Sequence, residues 1–153
     1  MASGGSSQAV INLLALSISS FFAGANLQRI QGMCDDTIQS CAEKQQLIFM
    51  VHAQQIKRTV SKLIGTGEEP MYSSEGRDIL ASNSSVLRSY HYHAAYVSFI
   101  FRSYDDTIEN IEKYFAFQEN MGNIVSRPCS PCISHWSHLI LGGEKVEGAA
   151  VVS

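Results

Sequence analysis

Residues 87–121 read LRSYHYHAAYVSFIFRSYDDTIENIEKYFAFQENM, and this stretch decides the fold class. Alternating steps of three and four residues along it meet only apolar or aromatic side chains: Leu87, Tyr90, Ala94, Val97, Phe101, Tyr104, Ile108, Ile111 and Phe115. A strand cannot place such a series on one side, because its side chains alternate with a period of two. We therefore predict one helix of about 35 residues, roughly 50 Å long, that ends at Gly122.

A second series of the same kind occupies residues 27–63, with a polar gap at Gln45-Gln46. Its members are Leu27, Ile30, Cys34, Ile38, Ala42, Phe49, Ala53, Ile56, Val60 and Leu63. Between Gly24 and Gly32 the apolar spacing of the first 25 residues gives way to a series that is shifted along the helix. This shift predicts a break or kink between the two glycines, although one continuous helix is also compatible with the pattern. The helix that follows this break is predicted to begin near Asp35 and Asp36, because negative side chains are favourable in a first turn. Gly65 predicts the end of the same helix.

These two series predict an all-α fold. Two apolar seams in one chain can cover each other in an antiparallel hairpin. We expect a bundle of three or four elongated helices with coiled-coil-like seams in residues 1–125. We expect residues 126–153 to form a separate C-terminal segment that ends in a loose tail of small residues. Two helix starts are also predicted: a cap at Ser73 or Ser74 for a short helix, and a cap at Asn83-Ser84-Ser85 for the long helix.

Residues 1–28 contain no charged side chain, and three interpretations of them stay open. The first is a helix buried in the bundle, with Ile11, Leu14, Ile18, Phe21 and Ala25 as its seam. The second is an export signal cleaved after the small residues 23–25, although no lysine or arginine precedes it. The third is a membrane contact or anchor through residues 9–25, at the lower limit of a spanning length.

Charge excludes one class of partner. The chain of 153 residues has 11 Lys plus Arg and 14 Asp plus Glu, for a net charge of -3. Nucleic-acid binding needs a concentration of positive charge, and the sequence offers no such stretch. We therefore expect no nucleic-acid partner. The compartment is not determined; the cytoplasm is slightly favoured, and an exported or membrane-associated protein is an alternative.

The densest group of chemically active side chains is Cys129, Cys132, His135 and His138. Thiolates and imidazoles are the ligands that zinc prefers, so a zinc site is one interpretation. The spacing is a weak match, because four ligands on one short segment form a stripe rather than a tetrahedron. The Cys-x-Pro-Cys order also suits thiol exchange, with Cys34 and Cys41 as a second pair. The plainest interpretation treats all four cysteines as structural or incidental, and no cofactor is then expected.

No other motif indicates an enzyme. His91 and His93 lie about 200° apart on a helix, so they cannot bind one metal together. No Glu-x-x-His pair, phosphate-binding glycine loop or nucleophile elbow occurs in the chain. We expect that the protein is not an enzyme.

Aromatic side chains beyond the long seam predict an interaction surface. These residues are Tyr96, Phe99, Tyr114 and Phe117, together with Ile100 and Phe101. One partner helix cannot cover an apolar surface this wide, and exposed apolar surface marks protein or membrane contacts. The expected function is an assembly or adaptor protein, oligomeric or bound to protein partners. The alternatives are a small thiol-redox or zinc protein and an exported or membrane-anchored helical protein.

Overall fold

The computed structural model describes residues 4–66 and 72–119, and side chains within 8–66 and 72–116. Within these ranges six helices pack together: α1 (Gly4–Phe22), α2 (Leu27–Glu43), α3 (Leu47–Ile64), α4 (Ser74–Ser82), α5 (Ser84–Ile100) and α6 (Tyr104–Glu119). No strand occurs in these ranges. The predicted all-α fold is therefore confirmed. The helices are shorter and more numerous than the three or four that the sequence predicted.

Helices α2 and α3 form an antiparallel hairpin. Gln31 Nε2 donates to Ser61 Oγ at 3.4 Å, and Lys57 Nζ lies 2.5 Å from Asp35 Oδ1. As residue numbers rise along α2, those of the partners in α3 fall, which defines the antiparallel direction. The turn between the helices coincides with the polar gap at Gln45-Gln46.

Helices α5 and α6 form a second antiparallel hairpin, and the prediction of one continuous helix over residues 87–121 is wrong. His91 Nδ1 lies 2.9 Å from Asn110 Oδ1, and the Arg88 guanidinium lies 5.7 Å from the centre of the Tyr114 ring. The chain reverses at residues 101–103, between α5 and α6. The two halves of the predicted seam therefore lie side by side instead of end to end.

Two backbone hydrogen bonds and one hydrogen bond between side chains stabilise this reversal. Arg102 N donates to Phe99 O, and Ser103 N donates to Ser98 O at 2.9 Å, the pair of bonds that closes a helix through a left-handed residue. Arg102 is that residue, with a φ of 61°. Ser103 Oγ then donates to Asp106 Oδ2 at 2.5 Å at the start of α6. The Ser-x-x-Asp spacing of a helix start was present in the sequence and was missed.

We expect Arg102→Gly to stabilise the protein. A left-handed conformation is strained for any residue with a Cβ, whereas glycine adopts it freely. After allowance for the greater freedom of glycine in the unfolded chain, the free energy of unfolding should rise by about 0.5–1 kcal/mol. Urea unfolding followed by circular dichroism measures it. Arg102→Ala removes the same side chain but keeps the strain, so a glycine variant no more stable than the alanine variant would contradict this account.

Most predicted helix ends are confirmed. Gly24 (φ 73°) separates α1 from α2, and Gly65 (φ 80°) follows α3. Ser73 Oγ accepts from Gly76 N, and Asn83 Oδ1 accepts from Val86 N. The predicted role of Asp35 and Asp36 is wrong. Because Asn26 caps α2 and the helix begins at Leu27, both aspartates lie in its middle.

The main core lies where α1, α2 and α3 meet. Its buried members are Leu14, Phe21, Ile30, Cys34, Ala53, Ile56 and Val60. Helix α3 also contacts α4 and α5, which joins the core to the second hairpin. The seam predicted for the first helix is half wrong: Leu14 and Phe21 are buried, but Ile11 and Ile18 are exposed. Val10 and Ser17 take the buried positions instead.

Candidate functional site

Of the predicted zinc and redox residues, only Cys34 and Cys41 lie in the part of the chain that the structure describes. Cys129, Cys132, His135 and His138 lie outside the described residues, as does the predicted domain boundary at residue 125. Within residues 4–66 and 72–119, no group of three or more His, Cys, Asp or Glu side chains is arranged to hold a metal ion. In the same ranges, no helix combines the length and the hydropathy needed to cross a bilayer.

The predicted interaction residues divide into buried and exposed members. Tyr114 is buried, and Tyr96 packs against the core, with its ring centre 5.3 Å from that of Phe21. Phe99 is half-buried. Ile100 and Phe101 are exposed and lie where α5 turns into α6, beside an exposed Tyr104. The side chain of Phe117 lies outside the described ones. The exposed predicted residues, Ile100 and Phe101, therefore form a corner with Tyr104 rather than a continuous helix face.

A second exposed apolar feature lies on α1. Ile11, Ala15, Ile18 and Phe22 are all exposed and follow one another at steps of four, three and four residues. This spacing places them along one side of the helix, and we call them the α1 stripe. Phe22 leaves 46% of its surface exposed. The whole of α1 carries no charged residue. An apolar stripe on an uncharged helix is unusual for a surface that faces only water.

Aromatic contacts fix the end of α1 on the second hairpin. The ring of Phe22 lies 5.9 Å from that of Tyr92 in α5, and Tyr92 lies 6.2 Å from Tyr114 in α6. Phe21, on the buried side, contacts Tyr96 of α5. Such ring pairs add to the stability that burial provides. The α1 stripe is therefore held on a helix anchored to both hairpins.

A polar cavity lies between α3 and α5. It is open to solvent and has a volume of about 50 Å³. Its walls are formed by Gln55, Arg58, Thr59, Lys62, Tyr72, Tyr90, His93 and Ala94. Four of these residues share one side of α3, at steps of three, one and three residues along the helix. The guanidinium of Arg58 lies 6.0 Å from the centre of the Tyr90 ring, which orients it beside the cavity.

Two buried side chains of the cavity keep hydrogen-bonding atoms without partners among the described residues. Gln55 is 2% exposed; its Nε2 donates to Val86 O at 3.0 Å, while Oε1 makes no hydrogen bond. His93 is 8% exposed, and its Nδ1 has no partner. Burial, with a smaller contribution from nearby His52, lowers the pKa of His93 to about 4. His93 is therefore neutral at pH 7.

Acid should destabilise the protein through His93. Its pKa in the unfolded chain is near 6.5, so below that pH the unfolded state binds a proton that the folded state does not. The free energy of unfolding should therefore fall as the pH is lowered from about 6.5 to 4, by up to about 3 kcal/mol. Urea unfolding at a series of pH values measures this slope. The slope should be smaller in His93→Gln, and an unchanged slope would assign the acid sensitivity to other groups.

The thiols of Cys34 and Cys41 are buried on α2 and form no disulfide. Burial, assisted by the charge of Asp35 and opposed by Lys57, raises the pKa of Cys34 to about 12. Burial also raises the pKa of Cys41. Because the thiolate is the reactive form, neither residue is suited to thiol exchange at neutral pH.

Alkylation tests this assignment. At pH 8 we expect iodoacetamide to modify Cys34 and Cys41 at least about 100-fold more slowly in the folded chain than in urea. Mass spectrometry of the peptides that contain them gives each rate separately from those of Cys129 and Cys132. Equal rates in the folded and unfolded chain would show that the two thiols are accessible and would reopen a redox role.

Comparison of the chain with protein-family models, with curated proteins and with solved structures finds no match.

Proposed function

We propose that the protein is a non-enzymatic helical assembly protein that pairs with a second copy of itself through the α1 stripe. The observation that carries this proposal is the exposed, regularly spaced apolar stripe on a helix without charge. Covering this stripe would remove Ile11, Ile18 and Phe22 from water. The removal of apolar surface from water is the main driving force of most protein association.

The chemistry of α1 favours a second copy over a charged partner. A helix without charge can form no salt bridge with a charged partner. Two identical uncharged stripes, in contrast, meet without electrostatic repulsion. The steps of four, three and four residues are those of a helix-pairing seam. Two such seams related by a two-fold axis cover each other, as in most homodimers.

The size of the stripe sets the expected affinity. The nineteen residues of α1 span roughly 28 Å, so one helix pair buries less than a standard interface. Interfaces below this size are weak or transient. We therefore expect a reversible dimer with a dissociation constant on the order of 10 μM.

The corner formed by Ile100, Phe101 and Tyr104 supports an adaptor role in addition to this pairing. It is exposed, apolar and distinct in sequence from the α1 stripe. A dimer formed through α1 would carry two such corners. Each could contact a further protein without competing for the residues that pair the two copies.

Sedimentation velocity of the full chain over a dilution series tests the pairing. We expect the sedimentation coefficient to rise from the monomer value to the dimer value between roughly 1 and 200 μM. A single monomeric species across this range would overturn the proposal. Species that grow beyond a dimer without limit would also overturn it, because a two-fold pair is closed.

A further inference from the structure

The corner formed by Ile100, Phe101 and Tyr104 differs from the α1 stripe because charged residues lie beside it. Phe101 is 60% exposed, more than any other large apolar side chain in the part of the chain that the structure describes. The exposed carboxylates of Asp105 and Asp106 follow the corner directly, in the first turn of α6. Two copies that met at this corner would bring these carboxylates together, which disfavours a second copy as its occupant.

The C-terminal sequence supplies an occupant of suitable chemistry. Residues 132–141 read CISHWSHLIL; five of these ten side chains are large and apolar, and one of them is Trp136. Tryptophan is a frequent anchor at protein interfaces. Residues 120–143 contain one Arg and no Asp or Glu, so they meet no repulsion from the acidic first turn of α6. The two histidines of the segment can also donate hydrogen bonds to carboxylates.

The segment is long enough to reach the corner. Because α5 and α6 are antiparallel, Glu119, the last described residue, lies at the end of α6 away from the corner. The sixteen residues of α6 span roughly 24 Å. Residues 120–131 connect Glu119 to the segment, and an extended chain of that length covers up to about 40 Å. A tethered segment binds at a high effective concentration, so even a weak contact is sufficient.

We propose that residues 132–141 bind the corner of the same chain, with Trp136 against Phe101. The contact removes apolar surface of both from water, which is its main driving force. A protein partner that uses the corner has to displace the segment, so the segment inhibits the adaptor role. This regulation rests on the adaptor role proposed above, whereas the contact itself does not depend on pairing through α1.

Acrylamide quenching of Trp136 fluorescence tests the contact in the full chain, because the sequence contains one tryptophan. At about 0.5 μM, well below the dissociation constant expected for the dimer, we expect a quenching constant about threefold lower in the folded chain than in urea. The same protection should be found at about 50 μM, where dimers form. Equal quenching in the folded chain and in urea would overturn the proposal. Protection only at the higher concentration would also overturn it, because the segment would then need a second copy.

Matched variants locate the contact. Phe101→Asp should raise the quenching constant about twofold, because an aspartate at the contact would lose its water. Tyr104→Asp, at a second exposed corner residue, should act in the same way. Phe115→Asp makes the same change at an exposed phenylalanine towards the other end of α6 and should leave quenching unchanged. Far-UV circular dichroism checks that each variant stays folded. Equal effects of the corner variants and Phe115→Asp would overturn the proposal.

The variant Ile11→Asp separates this proposal from the pairing of two copies. It changes the α1 stripe and should leave the quenching of Trp136 unchanged. If Ile11→Asp exposes Trp136 and Phe101→Asp does not, the segment covers the α1 stripe instead, and the proposal is overturned. A chain that stays monomeric at every concentration but keeps the expected quenching pattern contradicts only the proposed dimer.

Discussion

Ile11→Asp should convert the protein from a reversible dimer into a monomer. Ile11 is 38% exposed and lies outside the core, so the substitution costs the isolated chain less than one at a core position. In the proposed dimer, the same position is covered by the second copy. An aspartate there would lose its water without gaining a partner of opposite charge. The dissociation constant should rise at least about 100-fold, which corresponds to about 2.8 kcal/mol.

Asn12→Asp provides the matched control. Asn12 is the next residue on the same helix, is exposed, and lies about 100° away from the stripe. The substitution adds the same charge and keeps the shape of the side chain. Sedimentation velocity should show a normal dimer for Asn12→Asp and a monomer for Ile11→Asp. If both variants dissociate, charge on α1 acts through net repulsion, and if both remain dimers, the interface lies elsewhere.

Ile56→Ala should lower the free energy of unfolding by about 2–5 kcal/mol. Ile56 is 2% exposed and belongs to the core formed by α1, α2 and α3. Removal of its outer carbons loses their burial and leaves a space that neighbouring helices fill only in part. A domain of this size is stable by only about 5–15 kcal/mol, so this one change removes a large fraction of the total.

Ile100→Ala is the control for the core prediction, because it deletes the same atoms from a side chain that is 47% exposed. Its effect on the free energy of unfolding should stay below about 1 kcal/mol. Urea unfolding monitored by circular dichroism, with an unchanged dependence on urea concentration, measures both values. Similar losses for Ile56→Ala and Ile100→Ala would contradict the placement of the core between the first three helices.

The fold class followed from apolar periodicity, and several helix ends followed from local chemistry. The helix ends at Ser73, Asn83 and Gly65 depend only on residues a few positions away in the sequence. Local sequence patterns are therefore enough to predict them. The reversal at residues 101–103 was missed because it contains no glycine or proline. Phe101 and Tyr104 also keep the heptad spacing across the turn, so the pattern reads as continuous although the helix ends.

The candidate sites were less predictable for a different reason. The first helix carries two adjacent stripes, one at residues 10, 14, 17 and 21, in which Ser17 is the polar member, and an apolar one at residues 11, 15, 18 and 22. Periodicity reveals both but does not say which one the other helices cover. The polar cavity combines Gln55 of α3 with His93 of α5, residues that are far apart in sequence. Only packing of the helices brings them together, so no motif could have revealed the cavity.

Photo-crosslinking from Ala15 tests the proposed α1 pairing most directly. Ala15 lies in the middle of the stripe, and replacing it with p-benzoylphenylalanine places a reactive group at the proposed interface. Mixing chains labelled with ¹⁴N and ¹⁵N distinguishes links between copies from links within one copy. We expect links between copies that end within residues 8–22, and few from the same group placed at Asn12. Links between copies that end elsewhere in the chain, or none at concentrations where dimers form, would contradict assembly through α1.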